Sequence, residues 1–151
     1  MALVYSGAFF IPAKSCGEPA NIVAKQFTIG KNERLKSRKS IEQLFNEGKK
    51  IVSAPYRLLY VTTNAPKYPS LLFATGVSAK NFKKAVDRNR IKRLTREAYR
   101  LQKTDLQKKV EVNNIQLNVF LIYTGKEVPE YKEVFKKIGT ILKKLDKLIE
   151  P

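Results

Sequence analysis

The chain has 151 residues, enough for one domain that buries its own apolar core without disulfide bonds or structural metals. It carries 30 lysine and arginine residues against 13 aspartate and glutamate residues, a formal net charge of +17, which favours an anionic polymer as partner. It has no histidine and a single cysteine, which excludes an intramolecular disulfide, a cysteine-rich zinc site and a Cys–His nucleophile pair. The composition therefore predicts a reduced, cytoplasmic, strongly cationic globular domain.

Residues 1–26 show no steady hydrophobic period and contain four glycine and proline residues. We expect a poorly ordered N-terminal extension here, followed by a single domain over residues 27–151; a start codon assigned too far upstream would explain the same pattern. The apolar residues 8–11 are not preceded by a basic residue and end at Pro12, which is not typical of a signal peptide. No run approaches the roughly 18 consecutive apolar residues of a membrane-spanning helix.

The first predicted element is a short helix after a basic approach. Ser40 and Gln43 have the spacing of a capping box at its start, and Gly48 provides its end. The apolar face of this helix consists of Ile41, Leu44 and Phe45. The basic approach consists of Lys31, Arg34, Lys36, Arg38 and Lys39.

The remaining pattern predicts strands and two further helices. Residues 56–62 and 71–78 are rich in apolar, aromatic and β-branched types, and the turn-like residues 64–70 between them predict an antiparallel hairpin. Residues 115–123 predict a buried interior strand, and residues 129–149 a closing amphipathic helix. With a long basic helix between the strands, the pattern predicts an α+β fold. We expect a two-layer sandwich with helices packed on one mostly antiparallel sheet of about four strands.

The long helix, over about residues 84–103, is the most informative segment. Residues 80–103 hold ten basic and two acidic side chains. On a helical wheel one sector of about 80° collects Ile91, Leu94, Ala98 and Leu101, which predicts a stripe that packs on the sheet. The opposite side collects Arg88, Asn89, Lys92, Arg93, Arg96, Arg100 and Lys103. A solvated face stabilised by ion pairs needs more carboxylates than two, so the spacing favours a partner rich in phosphate.

The same residues carry a family resemblance. Residues 85–101, AVDRNRIKRLTREAYRL, resemble the signature helix of the bacterial ribonuclease P protein component, which has an RNR-centred run followed by K-R and then by R-E, a small residue, an aromatic residue and R. Residues 34–36, ahead of a helix that ends in Phe45-x-x-Gly48, are similar to the opening of that family. The resemblance covers about residues 30–147, and it implies a fold like that of the second domain of ribosomal protein S5.

The resemblance implies two RNA-binding sites. The signature helix would face the catalytic RNA through Lys80, Lys83, Lys84, Arg88, Asn89, Arg90, Lys92, Arg93, Arg96 and Arg100. Arg90 lies at the flank of the wheel beside Glu97, so a structural role is an alternative for it. A cleft between the first helix and the sheet would hold the 5′ leader of precursor tRNA, and its matching residues are Ile41, Phe45, Tyr56 and Tyr60. For these apolar side chains, packing in the core is the alternative.

The resemblance also implies the function, that of the protein subunit of ribonuclease P, an endoribonuclease that removes 5′ leaders from precursor tRNA. The acidic residues are scattered singly and histidine is missing, so the sequence predicts no catalytic group and no metal site in the chain itself. In that family the catalytic RNA binds magnesium and carries out hydrolysis, which makes the protein a non-catalytic cofactor with no membrane partner and no obligatory protein partner. Charge and size also fit a structural RNA-binding protein of ribosomal type or a nonspecific RNA chaperone.

Overall fold

The computed structural model describes residues 29–64 and 70–149, which form three helices and four strands. The predicted extension over residues 1–26 lies outside the described residues. In chain order the elements are α1 (Arg38–Glu47), β1 (Lys49–Ser53), β2 (Tyr56–Thr63), β3 (Leu71–Val77), α2 (Ala85–Val112), β4 (Gln116–Tyr123) and α3 (Tyr131–Leu148).

The four strands form one sheet in the order β1-β2-β4-β3. β1 and β4 are both antiparallel to β2, and β3 is parallel to β4. The predicted α+β class and the mostly antiparallel sheet of four strands are confirmed. The predicted hairpin between β2 and β3 is wrong, because β4 lies between these strands. A strand with Val119, Phe120, Leu121 and Ile122 in succession is apolar on both faces, and an interior position is where both faces can be covered.

Successive residues of a strand point to opposite faces, and here the two faces carry separate apolar clusters. On β2, Leu58 belongs to the large core beneath α2 and α3, whereas its neighbour Leu59 belongs to a smaller cluster beneath α1. The smaller cluster contains buried Leu35, Leu44 and Leu59, with partly buried Ile41, Val61, Leu72, Ala74, Phe120 and Ile122 around them. One face of the sheet is therefore covered by two helices and the other only in part, by α1.

α1 begins earlier than the sequence pattern predicts. Its N-cap is Ser37, whose hydroxyl oxygen accepts a hydrogen bond from the Ser40 amide at 3.5 Å. The predicted cap at Ser40 is wrong because that residue already lies in the first turn. Gly48 ends the helix as predicted, and its amide donates to the Leu44 carbonyl oxygen at 3.1 Å. A Cβ atom at position 48 would collide with this carbonyl, so the tight end requires glycine.

α2 extends to Val112, beyond the predicted end at residue 103. The basic run stops there, but Leu106 and Val110 continue the buried stripe into the core that α2 shares with α3. The Lys109 ammonium lies 3.1 Å from the Asp146 carboxylate and joins the two helices. None of the helices in residues 29–64 and 70–149 is both long and apolar enough to cross a membrane.

Candidate nucleic-acid interface

The outward side of α2 carries a cationic surface that the described residues leave largely unneutralised. Lys80, Lys83 and Lys84 are exposed ahead of the helix, and along it Asn89, Arg90, Arg93 and Arg96 are exposed while Lys92 is half-buried. Within the described part of the chain, neither Arg93 nor Arg96 has an ion-pair partner. We call Lys80, Lys83, Lys84, Arg90, Lys92, Arg93 and Arg96 the cationic surface. Its repulsion is relieved when phosphates bind, and arginine can bind them in bidentate fashion.

Arg88 is directed partly into the fold. One of its terminal guanidinium nitrogens donates to the carbonyl oxygens of Phe82 at 2.7 Å and Lys83 at 2.8 Å. This side chain therefore braces the loop that leads into α2. Carbonyl oxygens do not cancel its charge, so Arg88 still contributes to the positive potential at this end of the helix.

Glu97 pairs with Arg100 and not with Arg90. The Arg100 Nε atom donates to Glu97 Oε2 at 3.0 Å, and a second guanidinium nitrogen binds the other carboxylate oxygen. The hydrogen bond from Arg100 lowers the pKa of Glu97, and the same bond raises the pKa of Arg100. Arg90, for which a structural role beside Glu97 is the alternative, forms no ion pair with Glu97; it is exposed and lines a shallow pocket with Leu94 and Tyr131. Arg100 is the partly neutralised member of the predicted RNA-facing set.

For two positions on α2 the predicted exposure is wrong. Lys103, predicted on the cationic side, is 2% exposed, whereas Leu101, predicted in the packing stripe, is 40% exposed. The buried stripe instead follows Thr95, Tyr99 and Lys103 at intervals of four residues, because α2 also packs against β3 at the edge of the sheet. The Tyr99 ring stacks on Phe73 of β3 with centroids 3.7 Å apart. A wheel drawn for a single packed face misses this second contact.

A groove of about 700 Å³ joins the cationic side of α2 to the face of the sheet beneath α1. It runs past β3, which is the edge strand at this side. Its lining residues are Ile29, Arg34, Leu35 and Lys36 from the segment before α1, Ile41 from α1, Phe73, Ala74, Thr75 and Phe120 from the sheet, and Arg93, Arg96, Glu97 and Arg100 from α2. The groove thus offers apolar surface and arginines side by side, which suits a single strand with stacking bases and a charged backbone.

An aromatic pair lies at the α1 side of this groove. Phe45 is 48% exposed, and its ring meets Phe120 edge to face with centroids 5.5 Å apart. Gly76 of β3 lies beside Phe120, and a Cβ atom there would come within 2.9 Å of the ring. The sequence pattern predicts Phe120 inside a buried strand, so this partly exposed ring is missed. Its alternation with Val119 and Leu121, in a strand apolar on both faces, is the signal that it points away from the main core.

Tyr56 and Tyr60 do not join Ile41 and Phe45. The two tyrosines are 1% and 5% exposed and belong to the core on the opposite face of the sheet. Their placement in the predicted cleft is wrong, because the period of two along β2 puts residues 56, 58 and 60 beneath α2 and α3. The residue of β2 that lies beneath α1 is Leu59.

No group of three or more histidine, cysteine, aspartate or glutamate side chains that could hold a metal ion occurs in residues 29–64 and 70–149. The carboxylates nearest the groove, Glu97 and Glu33, are each engaged by a cation of α2. The groove therefore presents arginines that can donate hydrogen bonds beside apolar surface.

Comparison with known proteins gives consistent matches over the described part of the chain. A family model described as Ribonuclease P matches residues 29–146. A protein named ribonuclease P protein component from Porphyromonas gingivalis is 37% identical over 110 residues, which cover 72% of this chain and 79% of the relative. A protein of the same name from Chlorobium phaeobacteroides is 31% identical over 125 residues, which cover 76% of this chain and 86% of the relative.

Solved structures show the same fold. The RNase P protein from Thermotoga maritima is similar with a TM-score of 0.57 and 25% identity, over 74% of this chain and 96% of that protein. The RNase P protein of Staphylococcus aureus, solved at 2.0 Å, is similar with a TM-score of 0.61 and 17% identity, over 75% of this chain and 94% of that protein.

The burial of Tyr56 predicts a specific response to alkali. Burial raises the pKa of Tyr56 to about 12, although the hydrogen bond to Thr95 at 3.0 Å acts in the opposite direction. An unfolded tyrosine ionises near pH 10, so the protonated phenol contributes its full stability below about pH 10 and loses it as the pH rises towards 12. Relative to Tyr56→Phe, the wild type should lose up to about 1.4 kcal/mol of unfolding free energy per pH unit over that interval.

Urea unfolding of both proteins at a series of pH values measures this difference. Lysine deprotonation affects the two proteins alike and cancels in the comparison. An equal decline in both would contradict the burial of the Tyr56 phenol in the core.

Proposed function

The chain belongs to the ribonuclease P protein family, and from this premise we propose that its cationic surface binds the catalytic RNA of the enzyme while its groove binds the 5′ leader of precursor tRNA. The protein is the protein component of ribonuclease P, and its partner is the RNA of that enzyme. The endoribonuclease is the ribonucleoprotein holoenzyme. The roles of the individual residues, the substrate and a cytoplasmic location are parts of the proposal.

The observation that carries the proposal is the outward side of α2. Arg93 and Arg96 are exposed, lack a carboxylate partner among the described residues, and line the groove. Lys80, Lys83 and Lys84 extend the same positive region ahead of the helix. Phosphates that bind here release condensed counterions, which makes the affinity depend steeply on salt concentration.

We assign magnesium and hydrolysis to the RNA. The carboxylates of residues 29–64 and 70–149 do not converge on a point where they could hold a divalent cation, so these residues supply no donor set for magnesium. The protein would strengthen the binding of the substrate to the catalytic RNA, because its cations would reduce the repulsion between the phosphates of the two RNAs. Contacts to the leader would then favour precursor over mature tRNA by a difference in affinity.

For the leader we propose stacking on Phe45 and Phe120 beside Ile41, with the backbone held by Arg34 and Lys36, which line the groove next to the cationic surface. Base stacking on an aromatic ring contributes about 1–3 kcal/mol per base and tolerates any sequence, because every base has a π-face. The half-exposed Phe45 ring and its edge-to-face contact with Phe120 support this assignment, since both rings are held in place without being buried.

Reconstitution with the catalytic RNA tests the function directly. At low magnesium concentration the protein should increase the rate at which the RNA removes the 5′ leader from precursor tRNA, because it supplies positive charge that magnesium otherwise provides. Leader removal is followed by gel electrophoresis with and without protein. Tight binding without stimulation would favour a structural RNA-binding protein, and equal binding to unrelated structured RNAs would favour a nonspecific chaperone.

The role of α2 is tested by Arg93→Ala combined with Arg96→Ala. We expect weaker binding to the catalytic RNA, with a log–log salt dependence lower by about 0.7–0.9 for each phosphate that the variant no longer neutralises. Binding titrations at several salt concentrations measure this slope. Lys143→Ala with Lys144→Ala removes the same charge from exposed positions of α3 outside the groove and should leave the slope nearly unchanged. A slope unaffected by the arginine substitutions would contradict α2 as the RNA-binding face.

The leader site is tested by Phe45→Ala and Phe120→Ala. Each change removes one stacking surface, so the affinity for precursor tRNA should fall by about tenfold, or about 1.4 kcal/mol, while the affinity for mature tRNA stays nearly constant. Phe135→Ala, which truncates a similarly exposed ring on α3, is the matched control. Equal losses for precursor and mature tRNA would contradict the leader assignment.

A further inference from the structure

Lys103 is a buried cation that the proposed RNA contacts do not use. Its ammonium lies 2.5 Å from the Glu33 carboxylate, across 70 residues of sequence. The Lys103 side chain is 2% exposed and that of Glu33 is 26% exposed, which makes this pair less exposed than the other ion pairs of the described residues. A lysine so deeply buried requires a partner, because an unpaired charge in the core is strongly destabilising.

Glu33 belongs to the segment that runs along the outer edge of β3. We call residues 29–37 the edge segment. The Phe73 amide donates to the Glu33 carbonyl oxygen at 2.8 Å, and the Leu35 amide donates to the Phe73 carbonyl oxygen at 3.0 Å. These two bonds bracket Arg34 opposite Phe73 in a short parallel bridge. The Glu33 carboxylate also accepts a hydrogen bond from the Gly30 amide at 3.2 Å. The same carboxylate therefore stabilises the turn formed by residues 30–33 and connects it to Lys103 of α2.

The edge segment forms part of the proposed leader groove. Ile29, Arg34 and Lys36 line the groove together with Arg93 and Arg96 of α2. Lys103 lies on α2 two turns beyond Arg96. The helix that presents the arginines thus also anchors the segment that supplies the other cations of the groove, and the Glu33–Lys103 pair connects the two.

The pair also fixes a register. Besides the two backbone hydrogen bonds, the edge segment is held by Leu35, which is buried in the cluster beneath α1. A slip of one residue along β3 would turn Arg34 to the other side of the strand, and the ion pair opposes such a slip. An apolar contact has little directional preference, whereas an ion pair with a hydrogen bond holds one position. The Phe73 side chain, at the residue to which the segment bonds, is itself stacked on Tyr99 of α2.

We propose that Glu33 and Lys103 are positioning residues for the leader groove, an assignment that rests on the proposed function of that groove. Their ion pair holds the edge segment in the register that places Arg34 and Lys36 beside Arg93 and Arg96. Arg34 and Lys36 then meet the leader backbone at the border of the cationic surface that binds the catalytic RNA. Without the pair the edge segment detaches from β3 more often, and the leader loses that part of its binding site while the outward side of α2 remains intact.

The test uses Lys103→Met in the full chain, reconstituted with the catalytic RNA. Methionine keeps an apolar stem in the core and removes the charge. The affinity of the holoenzyme for precursor tRNA should fall about tenfold, whereas its affinity for mature tRNA and the affinity of the protein for catalytic RNA should change less than about twofold. Hydrogen exchange at the amides of Leu35 and Phe73, which report the two bonds of the edge segment, should become faster.

Lys109→Met is the matched control. It removes the other ion pair of α2 that reaches a distant element, since Lys109 binds Asp146 of α3 at 3.1 Å, and neither residue lines the groove. This variant should lose stability but keep the preference for precursor tRNA. If Lys103→Met does not fold, Glu33→Gln replaces it, because the amide keeps the size of the side chain at a partly exposed position. The double variant should bind leader no worse than the weaker single variant, since both changes break one interaction.

The outcomes separate the two levels of the proposal. Lower stability with an unchanged ratio of precursor to mature affinity would make the pair purely structural and overturn the inference while the function of the groove stands. Unchanged exchange at Leu35 and Phe73 would overturn it as well. If the wild-type holoenzyme itself does not prefer precursor tRNA, the proposed role of the groove fails, and the positioning role fails with it.

Discussion

The packing of α2 against β3 and α3 determines what the rest of the surface can do. The buried side chains of Ile91, Ala98 and Tyr99 fix how α2 is rotated about its axis. Arg93 and Arg96, which lie between them in sequence, therefore point away from the core. Apolar burial is the main favourable term in folding, and it here provides the free energy that holds like charges close together. Among residues 29–64 and 70–149, the ion pair between Glu97 and Arg100 relieves part of this repulsion on the outward side of α2. The remainder is available for an anionic partner.

The face of the sheet beneath α1 is only partly covered, and this also determines what the surface can bind. Of the helices in the described part of the chain, only the ten-residue α1 lies over this face, and the apolar residues beside it stay partly accessible to the solvent. Exposed apolar surface next to cations is a poor solution for solubility but a good one for a ligand that has flat bases and a charged backbone. The two faces of the sheet therefore differ: one carries the large core beneath α2 and α3, and the other carries a smaller cluster with partly accessible apolar residues.

The sequence was sufficient for the three helices, for β2, β3 and β4 and for the charge. It was insufficient for β1, for the end of α2 and for positions that depend on two contacts at once. The apolar periodicity of α3, the end of α1 at Gly48 and the exposed Arg93 and Arg96 follow from local pattern. The misplaced Lys103 depends on Glu33, whose approach to α2 requires the whole sheet to be assembled. The tyrosines of β2 were misassigned for a simpler reason: both faces of that strand are apolar, so alternation alone does not say which face meets α1.

The missing side chain at Gly76 has a consequence for how this face can evolve. Any larger residue there would push against the Phe120 ring from the neighbouring strand. Substitution of the glycine therefore requires the Phe120 ring to move from its present position or a smaller residue to replace it. Either change would alter the aromatic surface beside α1, so the residue type at position 76 limits which ring position 120 can present.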